Sequence, residues 1–362
     1  MSNARELAQI PSTPSGRRNL IINGAMNVAQ RGTSITNFTG NSQYHTVDRF
    51  VYENSGPSSA DFAQVTDAPS GFRKSLKATL NGAFNPSASQ YFIPFQQRIE
   101  SQDIVFLDYG TANAKTVTLS FWIKSNKTGT YVVEFSNNSK TRKWSQSYTI
   151  NAANTWEQKI ITWTGDTGAG TSFDDDNESG AAFYWWMSGG TTFTSGSLSG
   201  AWEDGNNANR AVGVPSSLAD DDQFYLTGVQ LEVGTVATEF EHRSYGEELA
   251  LCQRYFFKLD FPITNTIGTA FRGTTNSGRI TLICPTPLRT LPSINSTNQP
   301  TLRFWWDNGS NAIVSTDGSL SVISDSLDTN RIVLVCSNVT GLGNNVGSVW
   351  AYSGDLEISA EL

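Results

Sequence analysis

The clearest pattern along the chain is an alternation of apolar and polar residues from Thr116 to Lys124. This two-residue period predicts a β-strand with one face in a core, although the polar face also carries Trp122. Turn residues at Asn126 to Gly129 lead into another alternating run, which predicts a hairpin partner. Similar runs recur at short intervals with no long helix between them. The pattern favours an antiparallel β-sandwich or jelly roll over a parallel α/β fold, whose crossover connections are usually helices.

A second informative stretch begins with a predicted strand from Phe224 to Val233. Gly228 interrupts this strand, and a glycine inside a strand usually marks a bulge or a close approach of another backbone segment. A helix is predicted to follow, because Ser244 and Glu247 have the three-residue spacing of a capping box. We therefore expect the helix to begin immediately after Ser244.

The predicted helix carries apolar residues on two faces. One stripe is formed by Tyr245, Leu249, Cys252 and Phe256, and the other by Leu251 and Tyr255. Apolar residues at these spacings share one side of a helix, and two stripes require two packing surfaces. The helix is therefore predicted to join two domains.

The chain as a whole predicts an all-β fold with two domains. We expect an N-terminal arm at residues 1–18, a jelly-roll β-sandwich at 19–243, a short linker helix at 244–257 and a smaller C-terminal β-sandwich domain at 258–362. A length of 362 residues is sufficient for two domains that each have a core.

Two long loops interrupt the predicted sandwich, at residues 164–180 and 188–222. Loops of this length in a compact domain are usually functional or disordered, so we interpret them as the variable face of the domain. Each contains three consecutive aspartates, of which Asp220 and Asp222 are candidates for a structural Ca²⁺ site built from carboxylate oxygens. Aspartate also suits turns, and a solvated loop is the interpretation that we favour.

Composition narrows the classes of function. The formal net charge is −8, whereas nucleic acids are bound mainly through Lys and Arg on their phosphates, so we expect no nucleic-acid partner. The three cysteines lack the CxxC spacing of metal sites and are expected to be buried apolar residues, as in a chain folded in a reducing cytoplasm. We also expect no secretory signal peptide, because residues 1–20 lack a basic start followed by an apolar core. No membrane insertion is expected either, because no apolar run approaches about 20 residues.

The sequence has no recognisable catalytic motif. Its two histidines, His45 and His242, do not stand in nucleophile-elbow or zinc-helix patterns, so each is interpreted as a structural, hydrogen-bonded residue. Carboxylates are numerous, but nothing selects a pair of the kind that a glycosidase needs. We therefore expect no enzymatic activity, no catalytic residues and no cofactor other than the structural Ca²⁺ already considered.

Four segments resemble bacteriophage virion appendage proteins, chiefly tail-fibre-like and receptor-binding proteins. They are NLIINGAMNVAQRGTS at 19–34, DRF at 48–50, TVTLSFWIKSNKTGTYVV at 116–133 and TGVQLEVGTVATEFEHRSYGEELALCQRYF at 227–256. The resemblance covers roughly residues 19–257 and is specific for one module rather than for the virion part that carries it. It implies a carbohydrate-binding-module-like β-sandwich that leads into a C-terminal domain.

Sandwiches of this family bind sugars by stacking flat aromatic rings on them, so the resemblance directs attention to tryptophans. The candidate glycan-binding residues are Trp185, Trp186, Trp202, Trp305 and Trp306. Within each adjacent pair, alternation along a strand sends one ring into the core and the other outward. The sequence does not decide which ring of a pair is exposed.

The resemblance implies a structural protein of a bacteriophage virion, assembled in the host cytoplasm. The leading hypothesis is a short tail fibre or receptor-binding protein that recognises host cell-surface glycan as a homotrimer. A head fibre or capsid decoration protein is the alternative within the same resemblance, and a polysaccharide depolymerase is an alternative of another class. The arm would attach to other virion proteins, with Leu7 and Ile10 on one side of a short helix that orders against its partner.

Overall fold

The computed structural model describes residues 17–56, 58–85, 92–260, 265–274, 277–294, 301–306, 312–316, 320–322, 329–337, 347–352 and 355–362. Its contacts divide the chain into a first unit, Met1–Glu248 with Leu362, and a second unit, Leu249–Glu361. No helix among the described residues is long and apolar enough to cross a membrane. The four domain boundaries expected from the sequence stay a prediction.

Two antiparallel sheets form the first unit. The first sheet has six strands in the order Ser34–Phe38 (β1), Ser59–Val65 (β4), Ser75–Asn81 (β5), Gln223–Val233 (β13), Val117–Ser125 (β7) and Glu157–Trp163 (β10). The second sheet has seven strands in the order Glu203–Asp204 (β12), Arg142–Ile150 (β9), Gly129–Asn137 (β8), Ser179–Gly189 (β11), Phe92–Glu100 (β6), Phe50–Asn54 (β3) and Gly40–Gln43 (β2). Short 3₁₀ turns lie at Ser101–Asp103, Val105–Leu107 and Asn207–Asn209.

The inward faces of both sheets fill one core. On β7 the buried core residues are Val117, Leu119, Phe121 and Ile123, while Trp122 points to the other side and is half-buried. This arrangement confirms the alternation predicted for the run from Thr116 to Lys124. Successive strands cross repeatedly between the two sheets, and every strand pairing is antiparallel. The all-β fold with a β-sandwich is therefore confirmed.

The long loop at residues 188–222 lies over the outer face of the second sheet. Helix α1, Thr191–Thr194, and the segment after the Asn207–Asn209 turn bring Phe193, Ala211 and Val214 against outward side chains of β8 and β11. These residues form a second, smaller core with Val132, Ala182, Tyr184 and Trp186. The loop therefore covers this outer face of the second sheet. Its interpretation as a variable face did not predict this structural role.

The interruption of β13 at Gly228 is a bulge, as predicted. The pairing of β13 with β7 shifts its register between Thr227 and Gln230, and Gly228 has a φ of +61°. A left-handed backbone of this kind strongly favours glycine, because a Cβ would crowd the following carbonyl. The rings of Phe72 and Trp122 also lie close to the position that a side chain would occupy. Of the two reasons given for a mid-strand glycine, the bulge applies here, while the close neighbours are side-chain rings and not another backbone segment.

The helix after β13 begins where the capping box predicted but ends earlier. Helix α2 is Tyr245–Gln253; the Ser244 backbone N–H donates to Glu247 Oε2 at 2.9 Å, and the Glu247 N–H donates to Ser244 Oγ at 3.3 Å. The predicted continuation to Phe256 is wrong, because Phe256–Asp260 (β14) is a strand whose backbone pairs with Asp355–Ser359 (β23).

The apolar stripe that should begin at Tyr245 is also incomplete. Tyr245 is 60% exposed, whereas the neighbouring Glu248 is buried. The Glu248 carboxylate accepts hydrogen bonds from the Asn23 backbone N–H at 2.5 Å and from Arg243 at 3.3 Å. A buried carboxylate with such donors can occupy a position that periodicity assigns to the outside.

The second unit consists of two further antiparallel sheets. A three-stranded sheet has the order β14, β23 and Ser293–Ile294 (β17). A seven-stranded sheet has the order Ala312–Thr316 (β19), Thr301–Trp306 (β18), Gly347–Tyr352 (β22), Asn265–Thr274 (β15), Ser277–Ile283 (β16), Arg331–Ser337 (β21) and Leu320–Val322 (β20). Cys252 and Cys284 are buried, as expected for structural thiols, and the Cys336 side chain lies outside the described residues.

Candidate functional site

The adjacent tryptophans Trp185 and Trp186 are both buried, so neither ring is available to a sugar. Each is only 1% exposed. Alternation along β11 sends one ring of the pair inward and the other outward, as predicted: Trp185 lies in the sandwich core, and Trp186 points outward into the small core beneath the long loop. Its Nε1 donates to Glu134 Oε2 at 3.0 Å, and the Arg210 guanidinium lies 4.9 Å from its ring centroid. The predicted role of this pair in glycan binding is wrong, because both rings are buried. Strand periodicity did not reveal this burial, since it does not show that a loop covers Trp186.

Trp202 is a half-buried part of the core rather than an open stacking platform. Its ring centroid lies 5.0 Å from that of Phe135 and 6.0 Å from that of Trp144, in edge-to-face contacts. Its Nε1 donates to the Thr164 carbonyl at 2.6 Å, so it ties one long loop to the other. Trp305 and Trp306 lie on β18, but their side chains are outside the described residues and their role in glycan binding stays a prediction.

The attachment residues Leu7 and Ile10 also lie outside the described residues, so the role of the arm stays a prediction. Among the residues that are described, no group of three or more His, Cys, Asp or Glu side chains could hold a metal ion. Asp220 Oδ1 accepts from the Gly82 N–H at 2.7 Å, and Asp222 Oδ2 accepts from the Ala219 N–H at 2.7 Å. These carboxylates organise turns, while the Ca²⁺ hypothesis itself stays a prediction.

The two histidines differ in their surroundings. His45 Nε2 hydrogen-bonds Gln43 Oε1 at 2.7 Å, and burial together with the nearby positive charge of Arg31 lowers its pKa. His242 is exposed, and its ring lies 4.8 Å from Phe240 and 5.4 Å from Phe72 between centroids. His242 therefore lies in an aromatic cluster at the surface of the first unit.

A row of alternating cations and aromatic rings crosses the outer face of the first sheet. Strand register places Lys77 of β5 opposite Tyr225 of β13, and Tyr225 opposite Lys124 of β7. Trp156, which immediately precedes β10, completes the row. The Lys124 ammonium lies 4.1 Å from the Tyr225 ring centroid and 5.3 Å from that of Trp156, and Lys77 lies 5.3 Å from Tyr225. We call these four residues the cation–aromatic row.

Asp67 fixes the outer end of this row. Its carboxylate accepts a hydrogen bond from Trp156 Nε1 at 3.1 Å and forms an ion pair with Lys124. Partial burial opposes ionisation of Asp67, but the hydrogen bonds from Lys124 and Trp156 outweigh it and lower the pKa of this carboxyl. Because Lys124 and Tyr225 are buried and Trp156 is only half-buried, the tryptophan is the aromatic ring of the row that solvent reaches best.

A second row lies beside the first, two residues further along each strand. It contains Thr227 of β13, Trp122 of β7 and Gln158 of β10, which are paired in register. Trp122 is half-buried and Gln158 is exposed, so this row offers an indole ring and an amide next to each other. Together the two rows present two partly open indole rings with charged and amide groups, whereas the Thr227 hydroxyl is buried and donates to the Lys74 carbonyl. Such a surface can stack on an apolar ring face and hydrogen-bond the polar groups around it.

The sequence contained one sign of this site. Trp122 is the aromatic residue on the polar face of the best alternating strand, which is unusual for a solvent-facing position. Trp156 and Asp67 were missed, because their proximity to Lys124 depends on strand order and on a loop between β4 and β5. Neither of these can be read from local periodicity.

Comparisons with known proteins assign no family. The chain matches no protein-family model, and no curated protein matches it. Among solved structures, it is similar to the enzymatically active domain of bacteriophage CBA120 tailspike protein 4 (TM-score 0.32, 13% identity, 60% of this chain and 21% of that chain). It is also similar to TmCBM61 bound to β-1,4-galactotriose (TM-score 0.31, 8% identity, 60% and 100%). A third is the family 11 carbohydrate-binding module of a Clostridium thermocellum cellulosomal cellulase (TM-score 0.28, 10% identity, 56% and 99%).

The chain thus spans only about a fifth of the tailspike chain that it matches. Similarity at these scores does not establish a shared family. The architecture of the first unit therefore rests on its own strands and their register.

Proposed function

We propose that this protein is a non-enzymatic structural component of a bacteriophage virion that binds glycan on the host surface. The observation that carries the glycan-binding part is the pair of partly open indole rings, Trp156 and Trp122, on the outer face of the first sheet. Their neighbours Asp67, Lys124 and Gln158 supply charged and amide groups within the same two rows. Aromatic surface with a few fixed polar groups is the usual composition of a site for a small organic ligand.

The placement on a virion rests on the resemblance of four sequence segments to phage appendage proteins. Within that class we propose a short tail fibre or receptor-binding protein, with the N-terminal arm bound to another virion protein. We further propose that three copies associate, because several weak glycan sites on one particle bind far more tightly than a single site.

Substitution of Trp156 tests the glycan-binding part. For Trp156→Ala we expect about a tenfold weaker binding of host surface polysaccharide, equivalent to about 1.4 kcal/mol, since removing a stacking ring typically has an effect of this size. Phe106→Ala is a matched control, because Phe106 is a half-buried aromatic ring that packs with Lys115 away from the two rows. Equal binding by both variants would refute the assignment of this face.

The same polysaccharide mixtures test the absence of catalysis. After prolonged incubation with the wild-type protein, chain length should be unchanged in size-exclusion chromatography. Shortened chains would identify a depolymerase and overturn the non-enzymatic proposal.

Immunogold labelling of whole particles tests the location. Label at the tail is expected for a tail fibre, whereas label over the capsid would contradict that location and identify a head fibre or capsid decoration protein. Light scattering on the purified protein checks association, and a mass near that of one chain would refute the trimer.

A further inference from the structure

A cavity of about 400 Å³ opens in the first unit, beside the rows of the first sheet. Its lining includes Phe72, Arg73, Lys74, His242, Arg243 and Tyr245. Its volume lies within the range of about 300–1,000 Å³ that is typical of small-molecule sites. We propose that this cavity, called here the basic pocket, binds a saccharide unit that carries an anionic group. The inference rests on the proposed glycan-binding function and specifies the class of sugar.

The sign of the charge is the first argument. The lining contains three basic side chains, those of Arg73, Lys74 and Arg243, and one histidine, and no acidic residue. The whole chain, by contrast, has 33 acidic and 25 basic residues and a formal net charge of −8. A concave site of one sign raises the local concentration of ligands of the opposite sign. An anionic ligand is therefore favoured here although the protein as a whole repels anions.

Two of the positive charges, on Arg73 and Lys74, have no acidic partner among the described residues. Arg243 is held by Glu241 Oε2 at 3.2 Å and Glu248 Oε1 at 3.3 Å, and it also donates to the Ile21 carbonyl at 3.0 Å. Arg73 is exposed and Lys74 is half-buried, so both can reach a ligand from solvent. A guanidinium can bind a carboxylate or phosphate through two parallel hydrogen bonds.

The walls of the basic pocket are held in place by contacts outside it. The Lys74 carbonyl accepts from Thr227 Oγ1 at 2.7 Å, which ties the loop between β4 and β5 to the bulged strand β13. The Phe72 ring packs on Phe240, with centroids 4.9 Å apart. Fixed walls reduce the entropy lost on binding, so the site is pre-organised.

An aromatic ring completes the chemistry that a sugar requires. Tyr245, at the start of helix α2, is 60% exposed. A phenol ring of this kind can stack on a pyranose while its hydroxyl remains a hydrogen-bond donor and acceptor. Phe72 lies near both Gly228 and Trp122, so the basic pocket adjoins the second row of the aromatic face. One oligosaccharide can therefore contact both.

The test uses ligands that differ only in charge. Methyl glycosides of glucuronate and galacturonate are compared with their methyl esters on the full chain, by ligand-observed NMR titration. We expect each acid to bind at least about tenfold more tightly than its ester at low salt, and the difference to shrink as ionic strength rises. Equal affinity of acid and ester for both sugars would overturn the proposal. Binding of inorganic phosphate as tightly as the uronates would show that the anion alone, and not the sugar acid, is recognised.

Charge reversal locates the effect. Arg73→Glu should abolish the preference for the acid, whereas Lys115→Glu, which makes the same change of charge on a half-buried side chain outside the pocket lining, should retain it. If both variants keep the preference, the basic pocket is not the site. The outcome is separable from that of the proposed function. If host polysaccharide binds in a way that depends on Trp156 but without a preference for acids, only the anionic-sugar inference is refuted. If no glycan binds, the proposed glycan-binding function is refuted as well.

Discussion

Gly228 is the position at which the second row and the basic pocket meet, and its replacement gives the most direct test of the structure. An ideal Cβ on Gly228 would lie 2.7 Å from Phe72 Cζ and 2.8 Å from Trp122 Cδ1. Both distances are shorter than van der Waals contact, so at least one ring must move. Gly228→Ala should therefore disturb stability and the binding face together.

The magnitude follows from two contributions. A non-glycine residue at a φ of +61° costs about 1–2 kcal/mol through left-handed backbone strain. Overpacking of a filled site adds about 1–3 kcal/mol, because Phe72 is itself restrained by Phe240 and His242. The sum is about 2–5 kcal/mol of lost unfolding free energy.

Gly200→Ala is the matched control, since Gly200 has a φ of +67° and no atom within 4 Å of the added Cβ. Gly200→Ala should lose only the contribution from backbone strain, about 1–2 kcal/mol of unfolding free energy. The assay is urea unfolding followed by tryptophan fluorescence, because most tryptophans lie in the first unit. Equal losses for the two variants, within about 0.5 kcal/mol, would refute the predicted clash, since that is the usual error of such comparisons.

A double substitution examines the cause. If the clash with Phe72 is responsible, Gly228→Ala should cost less in a Phe72→Ala background, with a coupling of about 0.5–3 kcal/mol. Strictly additive losses would indicate that Trp122 or the backbone alone carries the effect.

Two further predictions concern groups outside the binding face. Arg210→Ala leaves the buried Glu134 carboxylate without the guanidinium that lies 2.9 Å away, so the free energy of unfolding should fall by about 3–5 kcal/mol. Lys115→Ala removes one member of a more exposed ion pair and should cost at most about 1 kcal/mol. Similar losses for the two variants would refute the role of the buried pair. Partial burial of Glu157 opposes its ionisation, but hydrogen bonds from Lys159 and from the backbone N–H groups of residues 151 and 152 lower its pKa to about 2, below its ordinary value of 4.5. The ionised Glu157 therefore stabilises the fold above pH 4.5, and this stabilisation is lost as the pH falls towards 2. The difference in melting temperature between the wild type and Glu157→Gln should shrink over that interval, and a difference that does not change with pH would contradict the pKa shift.

Local features of the fold were predictable because they depend on neighbours in sequence. The strand from Thr116 to Lys124 follows from a two-residue period, and the bulge at Gly228 follows from a glycine within a β-branched run. The start of helix α2 follows from Ser244 and Glu247, whose side chains satisfy backbone groups three residues apart. None of these requires knowledge of what packs against the element.

The end of helix α2 was not predictable by the same reasoning. Its apolar period continues through Tyr255 and Phe256, but the backbone from Phe256 onward pairs with a strand about a hundred residues later in the sequence. Long-range pairing of this kind overrides a local helical preference, because it satisfies each backbone group within the sheet.

The sequence alone therefore determined the β-rich class, the strand faces and the capped helix, since periodicity and capping are local. Only the tertiary structure decided which aromatic rings are open. Trp186 points outward from its strand and is nevertheless buried, because a loop of more than thirty residues folds over it. Trp156 and Trp122 remain partly open, because strand order places them on the face that this loop does not cover. Exposure depends on what packs above a residue, and that is a property of the whole chain.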